Sequence, residues 1–252
     1  MAEIGFQLSG IAPYLDTAEN LEMAFYKIAQ IGYKNVELQG IPLYISNDRI
    51  VQALKRNGLK CIAAQEEYAF GFGNNPAEAI ERAAACEAKY LTFSMIPPQI
   101  NTYDQLKRLA ASLRRIHEKV TQAGLVFSYH PTAMDYRLMG KRPVYERLMG
   151  LLPEDVQLSF CVHNSFNRVP YAQVLEKYKG RVDVVHFMDS ITRADGAVQL
   201  MPLGEGDHNW NPIYEACTNA GAKYILSEQT NSDRDAFECA ALNFQYLCSL
   251  HK

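Results

Sequence analysis

Glutamates and histidines stand where apolar runs of this 252-residue chain break off: Glu37 in NVELQ, His130 in VFSYHP, His186 in VDVVHFMD and Glu228 in ILSEQ. Carboxylates and imidazoles are the side chains that move protons near neutral pH and that hold divalent metal ions. An unpaired carboxylate inside an apolar run is expensive, so each of these residues is either a half-solvated strand end or a member of a built site. For His186 alone the commoner reading is a hydrogen-bonded core histidine. The stretch LSFCVHNS (158–165) adds Cys161 and His163, which would share a face if the strand continued. A base-activated thiol, a metal ligand and a small buried residue all remain open for Cys161, the last being the default.

The elements that must position these groups follow one repeated pattern. An amphipathic helix ends at a glycine or small polar break, an apolar run follows, and a polar residue closes it. IGYKNVELQ, NGLKCIAAQEE, AGLVFSYHP, KGRVDVVHFMD and AGAKYILSEQ are clear copies; EIGFQLS, EAKYLTFSM and EDVQLSF complete a set of eight. Leu106, Leu109, Leu113, Ile116 and Val120 recur at three- and four-residue steps, which predicts a helix with one buried stripe. Asn75-Pro76 with Glu78, Thr102 with Gln105, and Pro212 after Asn211 resemble capped first turns. Short, nearly continuous apolar strands alternating with helices imply parallel strands covered on both faces. Eight such units predict a single (β/α)₈ barrel over residues 1–252. A doubly wound sheet is disfavoured, because FQLSGIAPYL supplies no glycine-rich phosphate loop.

Catalytic groups of such barrels project from the C-terminal strand ends. Read in order, those ends are Gln7, Glu37, Gln65 with Glu66, Ser94, His130, Cys161 with His163, His186 with Asp189, and Glu228. Composition narrows the ligand. With 48% hydrophobic and 21% charged residues and a net charge of −3, the chain carries no basic patch for nucleic acid. MAEIGFQLSG lacks the pattern of a leader, and no window reaches the roughly 18 apolar residues of a membrane span. A cytoplasmic protein without membrane contact is expected. The six cysteines are scattered without a C-x-x-C pair and read as reduced, mostly buried thiols. Tyr145 and Phe166 are expected to be exposed aromatics available to a homo-oligomer interface.

The pieces GLVFSYHP, VDVVHFMDS, PLGEGDHNW and AKYILSEQ, with IGFQLSG and IGYKNVELQG at the start, resemble the xylose isomerase-like superfamily. That superfamily includes sugar isomerases and epimerases, among them inosose dehydratases, hydroxypyruvate isomerases and ketose 3-epimerases. The resemblance covers nearly the whole chain through the order and spacing of short motifs. It implies a TIM barrel whose mouth holds one divalent metal (manganese, magnesium, cobalt or zinc), bound by Glu, Asp, His and Glu from strands five to eight. His186 matches the strand-seven histidine and Glu228 the strand-eight glutamate. Asp135 falls where a strand-five glutamate would be, and Cys161 takes the place of the strand-six aspartate. Thr132 and Met188 are further departures. A thiolate is softer than a carboxylate, so zinc is favoured if Cys161 is a ligand.

The expected site follows from that resemblance. His186, Glu228, Asp135 and Cys161 are the metal ligands. Glu228 and His130 are the acid/base pair, and Gln7, Glu37, Gln65, His163, Asp189 and Glu205 contact a small sugar or polyol. The expected reaction is isomerisation or epimerisation by proton transfer through an enediolate. The competing readings are a metal-free, non-catalytic polyol-binding barrel and, behind it, a cyclitol dehydratase. A three-metal apurinic endonuclease is disfavoured by the missing ligands and the missing basic groove.

Overall fold

A computed structural model describes residues 1–230 and 233–251, without the side chain of Phe70. All eight expected runs form parallel strands: Glu3–Gln7, Asn35–Leu38, Lys60–Glu67, Tyr90–Ser94, Val126–His130, a sixth in two pieces (Gln157–Leu158 and Phe160–Cys161), Val184–Phe187 and Tyr224–Ser227. They are called strands one to eight below. Each strand pairs with the next around the ring, and strand eight pairs with strand one. The first piece of strand six bonds to strand five and the second to strand seven, so Ser159 between them closes the barrel. The Ser159 amide itself donates to Tyr129 O at 2.8 Å.

Local chemistry explains the staves and the helices between them. Strands two and four are buried along their whole length, as expected for parallel strands covered by helices outside and side chains inside. The helix Tyr103–Gln122 carries the full capping box of Thr102 and Gln105 and buries the predicted leucine stripe against the barrel. The helix Asn47–Asn57 stops at Gly58, whose φ of 63° a side chain would resist. Inside the barrel, Ile62, Ala63, Tyr90, Val184 and Leu226 fill the lower end. Beneath them Asp183 accepts from Tyr90 Oη and Lys223 Nζ, each at 2.8 Å, which seals the N-terminal face. The polar mouth is therefore the open end.

Several local expectations change. Strand six ends at Cys161, and Val162–Ser165 is a helical turn, so His163 does not share a strand face with the thiol. Pro76 is itself the residue before its helix and makes no side-chain cap, while Pro212 lies within the first turn of Trp210–Ala220. Tyr145 is buried against Tyr136 and Tyr178, and Phe166 is half-buried against His208, so neither is a free aromatic for an interface. All six cysteines are free thiols, five of them buried. Among the described residues no helix is long and apolar enough to cross a membrane.

Candidate functional site

Four of the strand-end residues converge at the mouth around His186. Its Nδ1 lies 3.1 Å from Glu228 Oε2, and its Nε2 lies 2.7 Å from Glu37 Oε2. The Glu37 contact is a close approach of charges without hydrogen-bond alignment, and both Glu37 carboxyl oxygens are buried without a donor among the described residues. A register shift between strands two and three falls at the Val36–Glu37 step, where Ile62 is the extra residue. Such bulges re-aim side chains next to active sites.

Burial alone would strip the proton from His186, but the Glu37 and Glu228 carboxylates overcome it and raise its pKa to about 10. Glu228 is the counterpart. Burial would raise its pKa, yet its bond to His186 and the charge there hold it below the usual carboxylate range. The mouth thus contains an imidazolium between two carboxylates. His130 lies against it, ring centroids 4.8 Å apart, and takes the opposite state: burial and the neighbouring cation lower its pKa to about 3. Both His130 ring nitrogens are buried without a partner in the described structure. A buried polar atom without water or another partner costs about 1–3 kcal/mol, so a pair of them on one ring marks a place for water or a ligand.

Cys161 completes the group. One ligand atom each from His130, Cys161 and Glu228 lies within 4.8 Å of the others. In the metal-free chain the Cys161 thiol is pushed well up by burial and by Glu228, so it is not an activated nucleophile. The donor set that could hold a metal is therefore one imidazole, one thiol and one carboxylate. His186 stands directly behind it, in the position of a histidine steadied by carboxylates.

Other expected members are placed elsewhere. Asp135 is fully buried but faces away from this group: its Oδ2 accepts from Thr132 N and Oγ1 at 2.9 and 3.1 Å, and Arg137 lies 3.8 Å from Oδ1. Burial raises its pKa to about 6. Asp189 accepts from the amides of Ser190, Gly204 and Gly206 and from Trp210 Nε1, and it holds His208 Nδ1 at 2.8 Å. The PLGEGDHNW stretch is thus a loop wrapped on Asp189. A Cβ at Gly206 would sit 2.1 Å from Asp189 Oδ1, so the glycine is required there. Glu205, in the same loop, pairs with Arg234 at the surface. His163 reaches Ser190 Oγ at 3.1 Å from its helical turn.

Gln7 and Gln65 both belong to the mouth. Each donates its amide to Gln39 Oε1, and Gln7 Oε1 accepts from Ser9 N. Ser9 Oγ in turn donates to Glu228 Oε1 at 3.3 Å. Ser9 and Gln39 were not singled out from the sequence, although each lies two residues beyond a marked strand end. His208, to which the sequence assigned no role, is a buried partner of Asp189.

The sequence matches the family model for xylose isomerase-like TIM barrels over residues 25–244, and the chain belongs to that family. Among curated proteins none matches. Solved structures share the fold at low identity. A sugar phosphate isomerase/epimerase from Parabacteroides distasonis superposes with a TM-score of 0.79 at 16% identity, over 98% of this chain and 93% of that one. An AP endonuclease, family 2, from Brucella melitensis gives 0.73 at 16% identity, over 98% and 99% of the two chains. The 3-keto-D-glucoside 4-epimerase of E. coli gives 0.72 at 16% identity, over 99% and 100%. One fold carries different activities in these proteins, so chemistry must be argued from the site.

Proposed function

We propose that this member of the xylose isomerase-like family is a sugar or sugar-derivative isomerase/epimerase that moves a proton next to a carbonyl, with Glu228 as the acid/base group. The observation that carries this reading is the Glu37–His186–Glu228 chain with the unpartnered His130 beside it. Glu228 is buried, yet His186 keeps it ionised at neutral pH. It takes the proton from the carbon beside the carbonyl. The resulting enediolate places negative charge near the His186 imidazolium, which favours it. Return of the proton to the neighbouring carbon is isomerisation. Return to the same carbon from the opposite face is epimerisation and calls on a second group, a role open to His130 only where it does not hold a metal. Ser9 steadies the second Glu228 oxygen, while Gln7, Gln39 and Gln65 bind hydroxyls.

The metal implied by the family fits this chain only with a changed donor set. Asp135 binds Thr132 through Oδ2 and lies outside the group, whereas the unpaired His130 nitrogens and the Cys161 thiol stand beside Glu228. Imidazole, thiolate and carboxylate together suit zinc in a three-ligand open site better than magnesium or manganese. Zinc held there would supply a Lewis acid for the carbonyl oxygen.

The test is hydrogen exchange in deuterated water. The zinc-loaded protein is incubated with a panel of aldoses, ketoses and inososes, and loss of the proton next to the carbonyl is followed by NMR. Exchange by wild type that falls at least about a hundredfold in Glu228→Gln supports the assignment. Sugar binding with no exchange under any metal condition would instead establish the binding-barrel reading.

A further inference from the structure

Strands four, five and six end on one repeated tetrad: LTFS (91–94), FSYH (127–130) and LSFC (158–161). Each reads apolar, hydroxyl, aromatic, polar. The first and third members, Leu91, Phe93, Phe127, Tyr129, Leu158 and Phe160, all belong to the core cluster that the strands share with the helices outside them. Side chains alternate across a strand, so Thr92, Ser128 and Ser159 face the barrel interior, one step beneath Ser94, His130 and Cys161. On strands three, seven and eight the interior is filled by Ile62, Ala63, Val184 and Leu226, the apolar filling usual in such barrels. On one side only, then, a layer of hydroxyls lies beneath two of the three candidate zinc donors.

The layer is buried and incompletely used. Ser128 Oγ donates to Gln157 O at 3.4 Å, whereas Thr92 Oγ1 and Ser159 Oγ have no partner among the described residues. Register brings Ser159 to His130. Strand six pairs Gln157 with Ser128 and Leu158 with Tyr129, and the Ser159 amide carries the ladder one step further by donating to Tyr129 O at 2.8 Å. Ser159 is therefore the neighbour of His130 across the ladder, on the same inner face. Neighbouring strands lie about 5 Å apart, which one direct bond or one bridging water spans. An unpaired hydroxyl thus stands beside an imidazole with both nitrogens unpaired.

We infer that Ser159 is a positioning residue for His130: its hydroxyl takes up the ring nitrogen that zinc does not use, directly or through one water. A ligating imidazole gives one nitrogen to the metal and carries its proton on the other, and an acceptor for that N–H fixes both tautomer and ring orientation. A serine hydroxyl supplies the lone pair and keeps a hydrogen of its own to give. The valine or leucine found at this depth on strands seven and eight would leave the N–H unpaired. The inference rests on the proposed zinc donors, of which His130 is one.

Zinc affinity of the full-length protein, read by competition with a chromophoric chelator, tests it in wild type, Ser159→Ala and Ser128→Ala. Ser159→Ala is expected to weaken zinc by about tenfold or more. Its melting without metal should be unchanged or higher, because it deletes an unpaired buried hydroxyl. Ser128→Ala, the same change in a hydroxyl already bonded to Gln157, should leave zinc affinity near that of wild type. In the zinc-loaded wild type, ring nitrogen NMR of His130 is expected to show one hydrogen-bonded N–H, a signature lost in Ser159→Ala. Zinc affinity unmoved in Ser159→Ala, an equal loss in both variants, or an unbonded His130 N–H in the loaded wild type would each overturn the inference and leave the donor set standing. A wild type that takes up no zinc would overturn the donor set and the inference together.

Discussion

Two buried histidines sit against carboxylates at this barrel mouth, and their surroundings differ. His208 meets Asp189 at 2.8 Å, and that carboxylate also receives Trp210 and the loop amides of Ser190, Gly204 and Gly206. His186 meets Glu228 at 3.1 Å and Glu37 at 2.7 Å, yet among the described residues Glu37 has no aligned hydrogen-bond donor and the adjacent His130 has neither nitrogen paired. The first cluster supplies its carboxylate fully with donors and holds the loop after strand seven, although His208 Nε2 itself has no partner among the described residues. The second is left open. Both carboxylate–histidine pairs are buried, so what separates them is the surroundings: Asp189 is wrapped by loop amides and Trp210, whereas Glu228 stands beside the unpaired nitrogens of His130.

The largest effect expected from that contrast falls on the first cluster. Asp189→Ala removes the acceptor for six hydrogen bonds, from Ser190, Gly204, Gly206, His208 (backbone and ring) and Trp210, and should cost about 3–5 kcal/mol. At roughly 2–4 °C per kcal/mol for a chain of this size, melting should fall by about 10 °C or more by calorimetry. Glu228→Gln should do the reverse. Its melting temperature should move by only a few degrees, while proton exchange falls at least about a hundredfold, close to 3 kcal/mol of transition-state stabilisation.

Asp135 and Asp189, both buried and outside the reactive group, should show opposite pH dependence. Asp135, raised to about 6, binds its proton more tightly in the folded state. The stability this gives is present at low pH and is lost as pH rises between the unfolded value near 4 and the folded value, by about 3 kcal/mol. Asp135→Asn should flatten that slope in urea titrations. Asp189, whose pKa is lowered, contributes stability above the unfolded value, lost as pH falls through the folded one. The smallest effect concerns His130. His130→Leu deletes two unpaired nitrogens from a buried site, so thermal melting of the metal-free protein should be unchanged or higher by about 1 kcal/mol in stability. A loss of several kcal/mol would mean that His130 is a structural residue like His208.

The barrel was legible because its signal is repeated. Eight apolar runs between amphipathic helices leave few alternatives, and Leu106 through Val120 fixed the period of the longest helix. Glu37, His130, His186 and Glu228 were legible as strand ends, since parallel strands end at one mouth. Partnership was not legible. Asp135 was expected as a ligand from the family resemblance alone, and the turn after strand five closes its Oδ2 on Thr132 in a capping box. Asp189 and Glu205 looked like substrate contacts, whereas the glycines at 204 and 206 close their loop on Asp189. His163 lost its place beside Cys161 because strand six stops one residue earlier than its apolar pattern suggests. Long-range bonds such as Ser9 to Glu228, 219 residues apart, leave no local trace.

The open cluster is tested most directly by its metal content. Stoichiometric zinc by mass spectrometry is predicted for the protein purified from zinc-supplemented medium, retained in Cys217→Ala and lost in Cys161→Ala with the fold intact. Equal zinc in both variants, or none in the wild type after direct zinc titration, would contradict the account of His130, Cys161 and Glu228 as its donors.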